Sequence, residues 1–171
     1  PRICIVSSTI FQVLSLAHLR QGRPRWAPVG PDDPSLVQYT SGSTAAPRGV
    51  VLTHRQLVAN LRAIHRGLAV REGDVGASWL PLFHDMGLIG CCLGTLYGAI
   101  DQLLGTPEDF VRDPLTWLGV MSRYGATVAT APNWGYAQCA QRVGPEEARA
   151  LDLSRLRVAL TALTMAEYFR D

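Results

Sequence analysis

Apolar residues recur along this chain with two different periods, and the alternation between them is the first structural signal. Arg2 to Ser8 is rich in β-branched residues and reads as a strand. Thr9 then caps a predicted helix whose apolar positions Phe11, Leu14, Leu16 and Leu19 run out near Gly22. Prolines and aspartates accumulate around Trp26 between Gly22 and Pro34, which marks a connection. Leu36 to Tyr39 and Val50 to Leu52 read as short strands on either side of a run of small residues. Thr53-His54-Arg55-Gln56 is a capping box, in which the Thr53 hydroxyl accepts from the Gln56 amide and the Gln56 side chain reaches back to the Thr53 amide. Behind it Leu57, Leu61, Ile64 and Leu68 form one helical face, with Arg55, Arg62 and Arg66 elsewhere, so this face is expected to pack on a sheet.

The second half repeats the alternation. Gly76 to Leu80 reads as a strand, Pro81 to Asp85 as a loop, and Met86 to Tyr97 as a buried helix in which Gly87, Gly90 and Gly94 would permit close backbone approach. Asp113 and Pro114 form a cap and first helical residue, leading a helix to about Tyr124. Thr127 to Ala131 is β-rich, Trp134 to Arg142 helical, and Leu156 to Leu160 β-like. Strands alternating with helices predict an α/β fold with a mainly parallel sheet flanked by helices.

Composition narrows the chemistry. A length of 171 residues suits one domain, and 47% hydrophobic with 18% charged residues is not the composition of a disordered chain. Sixteen basic against fourteen acidic residues give a net charge of +2, spread along the chain, so nucleic acid is not an expected partner. Every basic residue is arginine, which excludes a lysine nucleophile, a Schiff base or a Walker lysine within this stretch. Cysteines 4, 91, 92 and 139 have neither Cys-x-x-Cys spacing nor histidines at ligand spacing, arguing against zinc and a disulfide framework. The uncharged run Met86 to Ile100 holds 15 residues, short of the roughly 20 that cross a bilayer, so no membrane span is expected. The opening residues differ from a signal peptide, and a cytoplasmic location is expected.

Two segments carry candidate chemistry. In Tyr39-Thr40-Ser41-Gly42-Ser43-Thr44-Ala45-Ala46-Pro47-Arg48-Gly49, hydroxyls and backbone amides can converge on a polyanion, and Arg48 can add a bidentate contact. Taken alone, the same residues also suit a Ser/Thr-rich surface turn. In Ser78-Trp79-Leu80-Pro81-Leu82-Phe83-His84-Asp85-Met86-Gly87-Leu88-Ile89-Gly90, a histidine beside an aspartate follows an apolar strand, where a strand end presents it to a cleft. On spacing alone, a histidine bonded into its own loop is an equal alternative. A serine hydrolase is disfavoured, because there is no Gly-x-Ser-x-Gly elbow and no positioned base near Ser41.

Together these segments resemble the adenylate-forming superfamily of acyl-CoA ligases, fatty acyl-AMP ligases, luciferases and peptide-synthetase adenylation domains, most of all the fatty acyl-AMP ligase branch. The first is similar to the superfamily's Tyr-Thr-Ser-Gly-Ser-Thr-Gly-x-Pro-Lys-Gly signature, and the second to that branch's Ser-Trp-Leu-Pro-x-x-His-Asp-Met-Gly-Leu-Ile-Gly run. Ala131-Pro132-Asn133-Trp134-Gly135-Tyr136 and Leu151-Asp152-Leu153-Ser154 resemble two further stretches of the branch. The resemblance implies part of the superfamily's N-terminal domain and activation of a fatty acid by ATP to an acyl-AMP, with release of pyrophosphate. It implies ATP phosphates on Thr40, Ser41, Gly42, Ser43, Thr44 and Arg48, with Thr40 in the shell of a Mg2+ ion. It places His84 at the acyl carboxylate, and Asp85, Asn133 and Trp134 along the substrate. An acyl carrier protein, or a polyketide or peptide synthase module, is the implied partner. An acyl-CoA ligase or a non-catalytic nucleotide-binding remnant are the alternative readings.

Some positions depart from that pattern. Ala45 replaces a glycine, which costs on the order of 1 kcal/mol if the position needs positive φ. Arg48 replaces a lysine, exchanging a mobile point charge for a planar fork. After Leu156 to Leu160 the family continues Asn-Gly-Ala-Glu, whereas Thr161-Ala162-Leu163-Thr164 follows here and Glu167 is out of register. The expected organisation is therefore residues 1–160 as the central part of the AMP-binding domain, residues 161–171 as a divergent tail, and the lysine-bearing C-terminal domain outside this stretch. Such a piece alone is expected to be inactive.

Overall fold

The computed structural model describes residues 2–6, 11–15, 28–40 and 48–162. A six-stranded sheet has the order β2-β1-β6-β5-β7-β8, from β1 (Arg2–Val6), β2 (Phe11–Ser15), β5 (Val75–Ser78), β6 (Asp101–Leu104), β7 (Val128–Pro132) and β8 (Val158–Ala162). All neighbours in it run parallel except β1 and β2. Strands β3 (Pro34–Thr40) and β4 (Arg48–Thr53) form a separate antiparallel pair. The helices are α1 (His54–Gly67), a π-helical segment Met86–Leu93 running into α2 (Gly94–Gly98), α3 (Pro107–Arg112), α4 (Pro114–Tyr124), α5 (Asn133–Arg142) and α6 (Pro145–Ala150). None of the described helices is long and apolar enough to cross a membrane.

The mainly parallel α/β arrangement agrees with the sequence, and the Thr53–Gln56 capping box forms with both of its hydrogen bonds. One assignment is corrected: Phe11–Ser15 is not the start of a helix but strand β2. Phe11 and Leu14 do fit a helical face, yet pairing with β1 in the register Ile3↔Leu14 and Ile5↔Gln12 overrides that local preference. Strand β6 escaped the sequence because Asp101-Gln102-Leu103-Leu104 is short and has no β-branched residue. It is a strand because it lies between β1 and β5.

Side chains alternate across the sheet and build two unlike faces. On one, Ala77, Leu103, Ala129 and Ala131 meet an aromatic layer from α3, α4 and α5. There Trp79 stacks on Phe110 at 4.0 Å between centroids, with Trp117 and Trp134 packed at the edges. The other face, bearing Gly76, Gln102, Val128 and Thr130, is covered by α1 and the π-helical segment. The expectation that the α1 leucine face packs on a sheet holds only in part. Helix α1 lies against the β3–β4 pair, the π-helical segment and α2 with Leu61 buried, while Leu57, Ile64 and Leu68 border a cavity facing the six-stranded sheet.

The amino-terminal ends of the strands are tied together by Asp74. Its carboxylate accepts from the Thr127 hydroxyl at 2.7 Å, the Arg71 amide at 2.7 Å and the Arg157 guanidinium, whose Nη1 also donates to the Leu68 carbonyl. Burial pushes the Asp74 carboxyl up, but Arg157 and the other donors outweigh it and bring the group down to about 2 from 3.8. A depressed carboxyl stabilises the fold above its unfolded pKa and loses that contribution as pH falls towards 2. Denaturant unfolding of the folded protein should therefore lose about 2 kcal/mol between pH 5 and pH 2 from this group, and Asp74→Asn should remove that part of the slope. An unchanged slope in the variant would show that Asp74 does not carry it.

Candidate functional site

The sheet itself selects the place for a site. From β5 the chain crosses to β6 on one side, then passes back over β5 to reach β7 on its other side and goes on to β8. Connections leaving β5 and β7 thus diverge, and such a switch point opens a crevice at the carboxyl ends of the strands. His84 and Asp85 lie in the connection from β5, and Asn133 is the first residue of α5 in the connection from β7.

The loop that carries His84 is fixed by backbone packing. The His84 amide donates to the Pro81 carbonyl at 3.1 Å, closing a turn, and the Leu88 amide donates to the His84 carbonyl at 2.9 Å. Gly87 lies directly over that turn. A Cβ there would come within 2.8 Å of the Pro81 carbonyl carbon and closer still to its oxygen. Close approach was expected at Gly87, Gly90 and Gly94; only Gly87 requires it, since a Cβ at the other two would meet nothing nearer than 3.5 Å.

His84 Nδ1 lies 2.8 Å from Asp85 Oδ1, with the histidine side chain one-quarter exposed and the aspartate two-thirds exposed. The Met86 amide is 2.6 Å from Asp85 Oδ1 and 3.3 Å from His84 Nδ1, so the carboxylate is its main acceptor. With Nδ1–H directed to Asp85, Nε2 is left as an acceptor in the neutral ring and donates to a ligand oxygen when the ring carries a second proton.

Beside this pair opens a cavity of about 580 Å³ between α1, the π-helical segment and the sheet. Asp85 and Met86 border it next to His84, and its walls are largely aliphatic: Leu57, Ile64, Leu68, Ile89, Val128 and Leu160. Besides Asp85, its polar lining is Gln56, Asn60, His65, Thr95, Gln102 and Thr130. His65 Nε2 is committed to the Gly94 carbonyl at 2.7 Å. Burial pushes the Cys91 thiol up, partly offset by the Ser78 and Thr130 hydroxyls, so it borders the cavity as a neutral group. Among the described residues, no arginine lines the cavity. An elongated apolar ligand suits such a space.

Of the residues expected at the site, His84 and Asp85 are brought together. Asn133 is exposed at the start of α5. Trp134 is not at the cavity: its ring packs 5.3 Å from Trp79 and 5.7 Å from Phe110 in the aromatic layer. Thr40 and Arg48 form the last paired rung of the β3–β4 hairpin and so flank the hydroxyl-rich loop. Ser41, Gly42, Ser43 and Thr44 lie outside the described residues. The cavity lining from α1 and β6 was not anticipated. Its one sequence signal was Gly76 inside a strand, which marks a close approach.

Comparison with known proteins decides the family. The sequence profile described as AMP-binding enzyme matches residues 6–167. The chain belongs to the AMP-binding enzyme family. It is 46% identical over 129 residues to the medium-chain-fatty-acid–[acyl-carrier-protein] ligase TtuA of Teredinibacter turnerae, covering 75% of this chain and 20% of that protein. It is 40% identical over 142 residues to the long-chain-fatty-acid–AMP ligase FadD32 of Mycolicibacterium smegmatis, covering 77% and 22%. Among solved structures, the fatty acyl-adenylate ligase from L. pneumophila in complex with acyl adenylate and pyrophosphate superposes with a TM-score of 0.71 at 40% identity, covering 78% of this chain and 24% of that one. The chain thus spans about a fifth to a quarter of the length of these relatives.

The packing at Gly87 yields a paired test. Gly87→Ala should displace the Pro81–Asp85 loop and lower stability by about 1–3 kcal/mol, whereas Gly90→Ala, with nothing closer than 3.7 Å, should be close to neutral. Thermal unfolding of both variants checks this. Equal effects at the two positions would contradict the close contact.

Proposed function

We propose that this chain is the central part of the AMP-binding domain of a longer ligase, which activates a medium- or long-chain fatty acid to its acyl-AMP. The observation that carries the reading is the His84–Asp85 pair beside an aliphatic cavity at the switch point of the sheet. The names of its relatives agree with it: TtuA is a fatty-acid ligase acting with acyl carrier protein, and the L. pneumophila ligase holds an acyl adenylate.

In this reading the acid's chain lies in the cavity and its carboxylate faces His84. A carboxylate oxygen attacks the α-phosphorus of ATP, forming the acyl-O–P bond as the bond to the β,γ-pyrophosphate breaks. His84, oriented through Nδ1 by Asp85, places Nε2 on an oxygen of the reacting acyl carboxylate and so fixes the attacking geometry. That contact requires a proton on Nε2, which donates to the carboxylate oxygen and offsets its charge. Hydroxyls and amides of residues 40–44, with the Arg48 fork, hold the phosphates. Asn133, exposed at the start of α5, contacts the acyl or adenine side.

Mg2+ would supply neutralisation of phosphate charge. The Thr40 hydroxyl would be a protein contact of such an ion, a hard oxygen donor of the kind Mg2+ takes. The acceptor that follows is an acyl carrier protein, alone or within a synthase module.

Pyrophosphate exchange and hydroxamate trapping with the full-length gene product should reveal acyl-adenylate from fatty acids. Failure with every chain length would refute the reading, and transfer to coenzyme A would place the enzyme with the acyl-CoA ligases. His84→Ala should lower kcat/KM for adenylate formation about a hundredfold. Asp85→Asn, which keeps a hydrogen-bond acceptor but not the charge, should cost less. A His84→Ala enzyme with wild-type kcat/KM would remove His84 from the site.

A further inference from the structure

The cavity has two unlike ends. One borders Asp85 and Met86, past the carboxyl end of β5. The other lies at the amino-terminal ends of the strands, where Gly76 and Gln102 sit opposite each other in the β5–β6 register and Val128 pairs with Gly76 from β7. Gln102 is almost completely buried, at 2% exposure, and its Nε2 donates to the Leu103 carbonyl at 2.9 Å. The carboxamide has room because Gly76 has no side chain. A Cβ on Gly76 would stand 3.1 Å from Gln102 Cδ, closer to its Oε1, and 3.3 Å from Thr95 Cγ2. At this end a buried amide stands among Leu68, Val70, Ile100 and Val128. A methyl-terminated chain gains by filling the aliphatic stretch and gains nothing by displacing a hydrogen-bonded carboxamide.

We propose that the Gly76–Gln102 pair is the end-stop of the acyl cavity and sets the longest fatty acid the enzyme activates. This rests on the acyl-ligase reading given above. The two residues oppose each other in effect. Removing the carboxamide deepens the cavity. A methyl group on Gly76 overlaps the far end of a flexible side chain, so Gln102 swings into the cavity and shortens it.

The test is the chain-length profile of acyl-adenylate formation by the full-length enzyme, measured with saturated acids of increasing length. A profile is a ratio within one preparation, so partial loss of folded protein does not alter it. Gln102→Ala should move the optimum to longer acids, with about a fourfold gain in relative kcat/KM for each methylene that finds new space. Gln102→Ser, which keeps a small polar group near the Leu103 carbonyl while removing most of the volume, should shift it the same way and serves if the alanine variant unfolds. Gly76→Ala should move the optimum to shorter acids. Active variants with the wild-type profile would overturn the end-stop and leave the ligase reading intact. Absence of adenylate from the unaltered enzyme at every length would overturn both.

Discussion

The contact on which this site depends is between Gly87 and the Pro81 carbonyl. Chain leaving the carboxyl end of β5 must turn back over the sheet to begin the next helix, and the tightest point of that turn admits no side chain. The turn hydrogen bond from the His84 amide to the Pro81 carbonyl, and the cap in which the Met86 amide donates to the Asp85 carboxylate, are consequences of that closure. Together they hold an imidazole–carboxylate pair beside a cavity instead of leaving it on a free loop.

The two faces of β5 divide the work of stability and binding. On one side Trp79, Phe110 and Trp117 fill the space with large rings, and Ala129 and Ala131 are completely buried beneath them. Small strand residues let that layer approach closely. On the other side the same economy of side chains, Gly76 above all, leaves a cavity, because α1 packs chiefly on β3, β4, the π-helical segment and α2 and stands off from the six-stranded sheet. The Asp74–Arg157 pair stands at the opposite end of the strands from His84, so the fold is fastened away from the chemistry.

Local signals in the sequence were reliable wherever local energetics decide structure. The Thr53 cap and the Asp113–Pro114 start of α4 formed as read, and so did helix α1, although most of its apolar face borders a cavity. Thr106-Pro107-Glu108-Asp109 carried the same kind of signal and opens α3, with the Thr106 hydroxyl accepting from the Asp109 amide, although it was passed over. What could not be read locally was decided by pairing. Phe11–Ser15 became a strand through β1, and Asp101–Leu104 through β1 and β5. Met86–Tyr97 was expected to be a buried helix. It is π-helical over Met86–Leu93, and Leu96 and Tyr97 are exposed. At the site, the His84–Asp85 pair was legible because both residues adjoin in sequence. The cavity was not, since Gln56, Ile64, Gln102 and Leu160 meet only in three dimensions.

The most direct measurement is a crystal structure of the full-length gene product with a non-hydrolysable acyl-adenylate analogue. The account predicts the acyl chain between α1 and the sheet, its carbonyl beside His84 Nε2 and its phosphate against the loop that joins Thr40 to Arg48. A chain bound on the aromatic face, or a cavity filled by another part of the polypeptide while the analogue sits elsewhere, would contradict it.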